Sequence, residues 1–157
     1  MKHSRARLLL AASVAFLWVA LPATASPEGD RFISAVQDGL DTQVGAMIAH
    51  HVDVNATDGT GATALAWAVL RNNESMATRL LKAHADPNRV DANGVGPLML
   101  AIDSNEPAMV NLLLAAGADA KLASANGETP LMHAVRMGST DMAQVLLAKK
   151  ADPNAHE

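Results

Sequence analysis

The chain has 157 residues, half of them hydrophobic, and a formal net charge of −4. Only 3% of the residues are aromatic and none is cysteine. The scarcity of aromatic residues argues against a β-sandwich or barrel, and the acidic balance argues against a nucleic-acid-binding protein. The absence of cysteine excludes disulfides, Cys-ligated zinc, iron–sulfur clusters and a thiol nucleophile. The core must therefore consist mainly of Ala, Leu, Val and Met, which favours helices.

Residues 1–25 have the pattern of a secretory signal peptide. Three basic residues precede an apolar run over 8–21, and the small residues at 23–25 suit a cleavage site before Ser26. This run is shorter than the roughly 20 residues that a membrane-spanning helix needs. We therefore predict an exported protein, periplasmic in a bacterium and otherwise secreted, with no stable membrane anchor after cleavage. An uncleaved anchor is the alternative. Cleavage would change the net charge to −7, because the segment contains no acidic residue.

The rest of the chain, predicted to be one domain over 26–157, repeats itself every 33 residues. The columns at this step include Asp53, Asp86, Asp119 and Asp152; Gly61, Gly94 and Gly127; Ala35, Ala68, Ala101 and Ala134; and Leu80, Leu113 and Leu146. A fixed period over four copies is typical of a solenoid, in which each unit buries its apolar face against the next. We place the copies at about 30–56, 57–89, 90–122 and 123–157.

The third copy shows what one period contains. The turn signal at 91–94 leads to Pro97, a residue that suits the first position of a helix because it has no N–H to leave unpaired. An apolar stripe at helical spacing follows, and Asn105 ends it in a position that holds glycine or asparagine in every copy. A second apolar helix is predicted between Pro107 and Gly117. Each copy is therefore predicted to be a pair of short helices.

Three segments carry a family resemblance. Residues 61–65, 94–98 and 127–131 read GATAL, GVGPL and GETPL, which resemble the ankyrin-repeat motif G-x-T-P-L-H-x-A. Residues 113–119, LLAAGAD, resemble the L-L-x-x-G-A-D ending of the same repeat. The resemblance covers about residues 30–157. It implies an all-α solenoid of stacked helix-turn-helix units with short hairpin-like loops, and a scaffold that binds other proteins without catalysing a reaction.

Some positions depart from the motif. Gly96 replaces its threonine in the third copy, which predicts a weaker start for the following helix. His50, His51 and His84 lie where second helices end, and a cation there is favoured by the helix dipole. A capping role is therefore predicted for these histidines, with pH sensing or metal binding as the alternatives.

Two further motifs have simpler structural explanations. Residues 59–64, GTGATA, fit the dinucleotide fingerprint G-x-G-x-x-A, but no apolar strand precedes them and Gly61 belongs to a repeat column. Met132, His133 and Met137 form the best local candidate for a copper site. Methionines recur at the repeat period, however, which indicates packing. No catalytic, cofactor or metal site is predicted.

By resemblance to the family, partners would contact the hairpin tips and the adjoining ends of the first helices. The predicted partner-binding residues are Thr57, Thr60, Trp67, Leu70, Arg71, Val90, Ala92, Asn93, Asp103, Ser104, Ala123, Ala125, Arg136 and Met137. Trp67 is the one large candidate anchor, although it shares a column with Leu100 and His133 and the helix core is the alternative location. Arg71 and Arg136 flank the surface and predict a partner of acidic character.

The expected function is that of an exported, non-enzymatic adaptor that binds another protein, as a monomer or with weak self-association. A more specific version is a helper or protector of an exported enzyme, for example an oxidative-stress enzyme. The alternatives are a metal-handling protein and a self-assembling protein joined through its last copy. That copy ends without an extra polar helix, which predicts poor cover for Met142, Val145 and Leu146.

Overall fold

The computed structural model describes residues 26–149, 151 and 153, so the predicted signal peptide lies outside the described residues. The described residues form helices joined by turns, with an isolated bridge between Thr57 and Thr63. The helices are α1 (Pro27–Gln37), α2 (Asp41–Ala49), α3 (Ala64–Leu70), α4 (Glu74–Lys82), α5 (Pro97–Asp103), α6 (Pro107–Ala115), α7 (Pro130–Arg136) and α8 (Thr140–Ala148). Within this part of the chain, no helix has the length and apolar character needed to cross a membrane.

The helices follow the period of the sequence. The first helices α3, α5 and α7 each have 7 residues and start 33 positions apart. The second helices α2, α4, α6 and α8 each have 9 residues and start at the same interval. The first copy differs, since α1 has 11 residues and begins at Pro27, before the expected start of that copy. Ser26 caps this extra turn by accepting a hydrogen bond from the N–H of Gly29 at 2.9 Å. The predicted all-α fold of stacked helix pairs is confirmed.

The starts of the first helices depend on one side chain. Thr63 caps α3 by accepting a hydrogen bond from the N–H of Ala66 at 3.2 Å, and Thr129 caps α7 through the N–H of Met132 at 3.3 Å. Gly96 occupies the same position before α5 and has no side-chain oxygen to offer. The prediction that the third copy has the weaker helix start is confirmed in its geometry.

The helix ends use left-handed backbone conformations. Residues in the glycine-or-asparagine position after the first helices have positive φ in every copy: Gly39, Asn72, Asn105 and Gly138. His51 and His84 have φ of 62° and 66° after the second helices, where Gly117 has 94°. The histidines therefore lie at the predicted helix ends. Their backbone N–H groups close the turn by donating to Ile48 and Leu81.

The core is continuous from the first copy to the last. The first helices α1, α3, α5 and α7 pack side by side in a row, and each second helix packs on the first helix of its own copy. Leu80, Leu113 and Leu146 form one fully buried column of this core. The repeat columns that the sequence analysis singled out thus hold the copies together.

The burial of side chains in the last copy differs from our prediction. Met142 and Leu146 are buried and Val145 is half-buried, so the predicted poor cover is wrong for the first two. Both belong to columns whose residues are also buried in the second and third copies. The exposed apolar side chains of this end are Val135, 64% exposed, and Leu147, 45% exposed, whose equivalents in the third copy are buried. These are the side chains that a following copy would cover.

Candidate binding surface

The loops before the first helices form tight tips that are fixed by aspartate. The Oδ1 of Asp91 accepts hydrogen bonds from the N–H groups of Asn93 and Val95 at 2.8 and 2.9 Å. Asp58 shapes the tip of the second copy in the same way. A short acceptor that bonds the backbone two and four residues ahead rigidifies a turn, so each tip presents its outer residues in a defined arrangement.

Neighbouring tips are joined by backbone hydrogen bonds. The N–H of Ala92 donates to the carbonyl of Thr60 at 3.3 Å, and the N–H of Ala125 donates to the carbonyl of Asn93 at 3.1 Å. Gly94 permits the second contact, because a Cβ at this position would lie 2.5 Å from the nitrogen of Ala125. The tips of the second, third and fourth copies therefore form a continuous row rather than separate loops.

The predicted partner-binding residues lie mostly on the surface. Twelve of the fourteen are exposed, and Thr57 and Trp67 are half-buried. Four of them, Ala92, Asn93, Asp103 and Ala125, line one groove of about 620 Å³ between the tips of the third and fourth copies. The other ten do not line this groove, so the structure brings together only part of the predicted set.

This groove, called the acidic groove below, combines an apolar floor with a charged rim. Met99 and Leu100 of α5 line it, together with the carboxylate residues Asp91, Asp103 and Glu128. No lysine or arginine is among the described residues that line it. Apolar surface with a few convergent polar groups is typical of a binding site.

A polar network borders the groove at the fourth copy. The buried His133 ring has Nδ1 3.2 Å from Oε1 of Glu128 and Nε2 3.2 Å from Oδ1 of Asp103, which belongs to the preceding copy. Arg136 donates from Nε to Oε1 of Glu128 at 2.8 Å and from Nη2 to Oε2 at 3.3 Å. Hydrogen bonds from Arg136, aided by His133, hold the pKa of the Glu128 carboxyl below its usual value despite burial. Arg136 is thus engaged within the chain.

Trp67 lies between the two predicted locations, the partner-binding surface and the helix core. It packs partly buried against the core, and its indole Nε1 donates to Oδ2 of Asp58 at 2.9 Å. Burial raises the pKa of the Asp58 carboxyl, but hydrogen bonds from Thr60, Trp67 and the backbone of Thr60 and Ala62 outweigh it, so the pKa lies below its usual value. The ring is therefore tied to the tip of its own copy.

Sequence reasoning missed Leu100, Asp91, Glu128 and His133 as groove residues. The useful signal was the repeat column of Trp67, Leu100 and His133, in which the side chain changes size and polarity from copy to copy. A column that varies on a constant backbone marks a position where the surface differs between copies.

The residues considered for a copper site have other contacts. Met132 accepts a hydrogen bond at its sulfur from the N–H of Thr129 at 3.3 Å, and both ring nitrogens of His133 face carboxylates. Across the described residues there is no group of three or more His, Asp or Glu side chains placed to hold a metal ion.

A family model described as ankyrin repeats (3 copies) matches the chain over residues 32–124 and 85–157. No curated protein matches the chain. The two matched stretches together cover residues 32–157, which contain part of α1, all of the helices α2 to α8, the capped starts of α3 and α7 and the row of tips. The chain therefore belongs to the ankyrin-repeat family, whose repeats are generally modules for protein–protein interaction and typically not enzymes.

Proposed function

We propose that this chain is an exported, non-enzymatic adaptor that binds another protein through its row of tips and the adjoining ends of the first helices. The observation that carries the proposal is the acidic groove, an open site of about 620 Å³ between rigid tips with apolar and polar lining. Protein interfaces have this mixture of an apolar centre and a polar edge. The stacked helices hold the lining residues in place, so little order has to be gained on binding.

Export is proposed from the sequence of residues 1–25. Its test is expression of the full chain in a bacterium, followed by fractionation and by mass spectrometry of the intact product. We expect the protein in the exported fraction with Ser26 as its first residue. A product that keeps residues 1–25 and sediments with membranes would contradict cleavage and favour the uncleaved anchor.

The partner is best sought in the native exported fraction. The tagged protein is used to capture its partner, which mass spectrometry then identifies, and charge-reversal variants show which surface binds. Arg71→Glu changes an exposed residue at the end of α3, and Lys82→Glu makes the same charge change on α4 as a control. Arg136→Glu is not suitable, because it would break the ion pair with Glu128.

We expect one stoichiometric partner that Arg71→Glu loses and Lys82→Glu retains. Equal capture by both variants would place binding away from the end of α3. If the partner is an enzyme, its stability under oxidative stress with and without the adaptor tests the helper role. Absence of any partner would contradict the adaptor proposal.

Self-association is a second candidate function, favoured by the exposed apolar end of the last copy. The equivalents of Val135 are buried in each of the preceding copies, and the equivalents of Leu147 are half-buried in the first two copies and buried in the third. Sedimentation velocity over a range of concentrations tests this candidate. Association that Val135→Asp abolishes would support it, and a monomer at all concentrations would refute it.

A further inference from the structure

The acidic groove lies beside a repeating position at which the side chain changes size. Trp67, Leu100 and His133 occupy equivalent positions in α3, α5 and α7. In the second copy the Trp67 indole reaches the tip and donates to Oδ2 of Asp58 at 2.9 Å. Leu100 has neither an aromatic ring nor a side-chain N–H. The equivalent oxygen of Asp91 instead has the side-chain amide of Asn93 at 3.5 Å, and a cavity of about 620 Å³ lies beside Leu100.

The charges that line the groove determine which charge a bound group should carry. Three carboxylates line it, and the one at Glu128 is offset by the ion pair with Arg136. The side chain of Asp103 is 64% exposed, with His133 Nε2 as its neighbour at 3.2 Å. Asp91, on the tip of the third copy, adds a further negative charge. A cationic group in the groove would therefore be attracted, and an anionic group would be repelled.

The apolar floor of the groove determines which uncharged groups the occupant should carry beside its cationic group. Val95, Met99 and Leu100 give it an apolar lining, which favours contact with methylene groups. Lysine and arginine combine an apolar stem with a cationic end, and therefore match both the floor and the rim. The cavity volume falls within the range of roughly 300–1,000 Å³ that is typical of ligand pockets, enough for a few side chains.

We propose that the acidic groove receives an extended segment of the partner protein that presents a lysine or arginine side chain next to an aliphatic one. The cationic end lies between Asp91 and Asp103, and the stem packs on Leu100. This inference rests on the proposed adaptor function and specifies its partner. At the third and fourth copies, the inferred partner segment is basic, whereas Arg71 and Arg136 predicted from the sequence a partner of acidic character.

The test uses a library of random peptides selected on the immobilised protein. Selection on the wild type is compared with selection on Leu100→Trp, which fills the groove with the side chain that the second copy uses at the same position. Leu40→Trp adds the same ring at a leucine of the first copy that is 45% exposed, and is the control for it. Asp103→Asn removes one rim charge, and Asp141→Asn makes the same change at an exposed position of α8.

We expect enriched peptides that carry Lys or Arg beside Leu, Ile, Val or Met. Their affinity should fall at least about tenfold in Leu100→Trp, as for loss of an interface anchor, and remain unchanged in Leu40→Trp. Asp103→Asn should weaken binding about two- to fivefold, and added salt should weaken it further. Circular dichroism checks that Leu100→Trp folds. If it does not, Asp103→Asn, at an exposed side chain, still decides whether the rim charge contributes.

Three outcomes would overturn the inference: no enrichment, enrichment of acidic peptides, or affinity that is the same in Leu100→Trp and the wild type. The capture experiment separates this failure from failure of the adaptor function. If Leu100→Trp still captures the partner of the wild type, the adaptor function stands and the groove is not its site. If neither protein captures a partner, the adaptor function itself fails.

Discussion

Truncation of Leu113 tests whether the repeat columns hold the copies together. Leu113 is fully buried in the last turn of α6, within the continuous core. Its equivalents Leu80 and Leu146 are buried in the same way. Leu147 of α8 provides a control of the same residue type, because it is 45% exposed on the uncovered end. Leu113→Ala and Leu147→Ala remove the same atoms from two different environments.

The expected magnitudes follow from burial. Alanine lacks three carbon groups of leucine, and burial of each contributes about 0.8 kcal/mol, so the transfer part for Leu113 is about 2.4 kcal/mol. Packing of α6 against α5, α4 and α8 limits collapse of the cavity, which brings the expected loss to about 2–5 kcal/mol. Leu147 keeps nearly half of its surface in water, so Leu147→Ala should cost about 1 kcal/mol with no closed cavity.

The assay is urea unfolding of residues 26–157, followed by far-ultraviolet circular dichroism and by the fluorescence of Trp67. The other tryptophan, Trp18, lies in the predicted signal peptide and is absent from this protein. The two probes report on all helices and on the second copy, and coincident transitions would justify a two-state analysis. Domains of this kind have free energies of unfolding of about 5–15 kcal/mol, so the loss in Leu113→Ala should be plain. A loss below about 0.5 kcal/mol, or equal losses in the two variants, would refute the assignment of the core column.

Three further changes test the turns and the polar network. Gly96→Thr should raise the free energy of unfolding by about 0.5–1 kcal/mol, because it adds a helix cap and reduces the conformational freedom of the unfolded chain, and Thr129→Gly should lower it. Urea unfolding measures both changes. A lower free energy of unfolding in Gly96→Thr would contradict the cap geometry. His84→Gly should stabilise by about 0.5–1 kcal/mol, because φ is 66° at this position, and an unchanged melting temperature would contradict strain there. The depressed pKa of Glu128 contributes stability above the pKa of the unfolded chain, which is lost as pH falls through the folded pKa. Thermal melts in acid should therefore depend less on pH in Glu128→Gln, and equal pH dependence would exclude this contribution.

The helix pairs could be predicted because their signals are local. Pro97 and Pro107 mark helix starts through their missing N–H, and Asn105 marks a helix end through its tolerance of positive φ. Each signal acts within one turn of the chain, and the period of 33 repeats it in every copy. Neighbouring copies then supply the burial that short helices need.

Contacts between copies were less predictable. Asn88 follows the column aspartate Asp86 by two positions, and its side chain reaches the next copy, where it accepts from the N–H of Asp119 at 2.7 Å and donates to the carbonyl of Gly117 at 3.1 Å. His133 reaches back to Asp103 across 30 positions. These contacts depend on the offset and rotation between copies, which the sequence period does not specify. The exposure of the last copy was misjudged for the same reason, since it depends on the direction in which each side chain points.

A repeated backbone makes the differences within a column informative. At one position of the first helices, Trp67 binds the aspartate of its own tip, Leu100 leaves a groove, and His133 lies between carboxylates of two copies. The helices around these three residues have the same lengths and spacing, so stability of the stack does not require the same side chain in each. The column instead places a different side chain beside the tip of each copy. Variation at this position can therefore change the partner of the surface while the buried leucine and alanine columns preserve the fold.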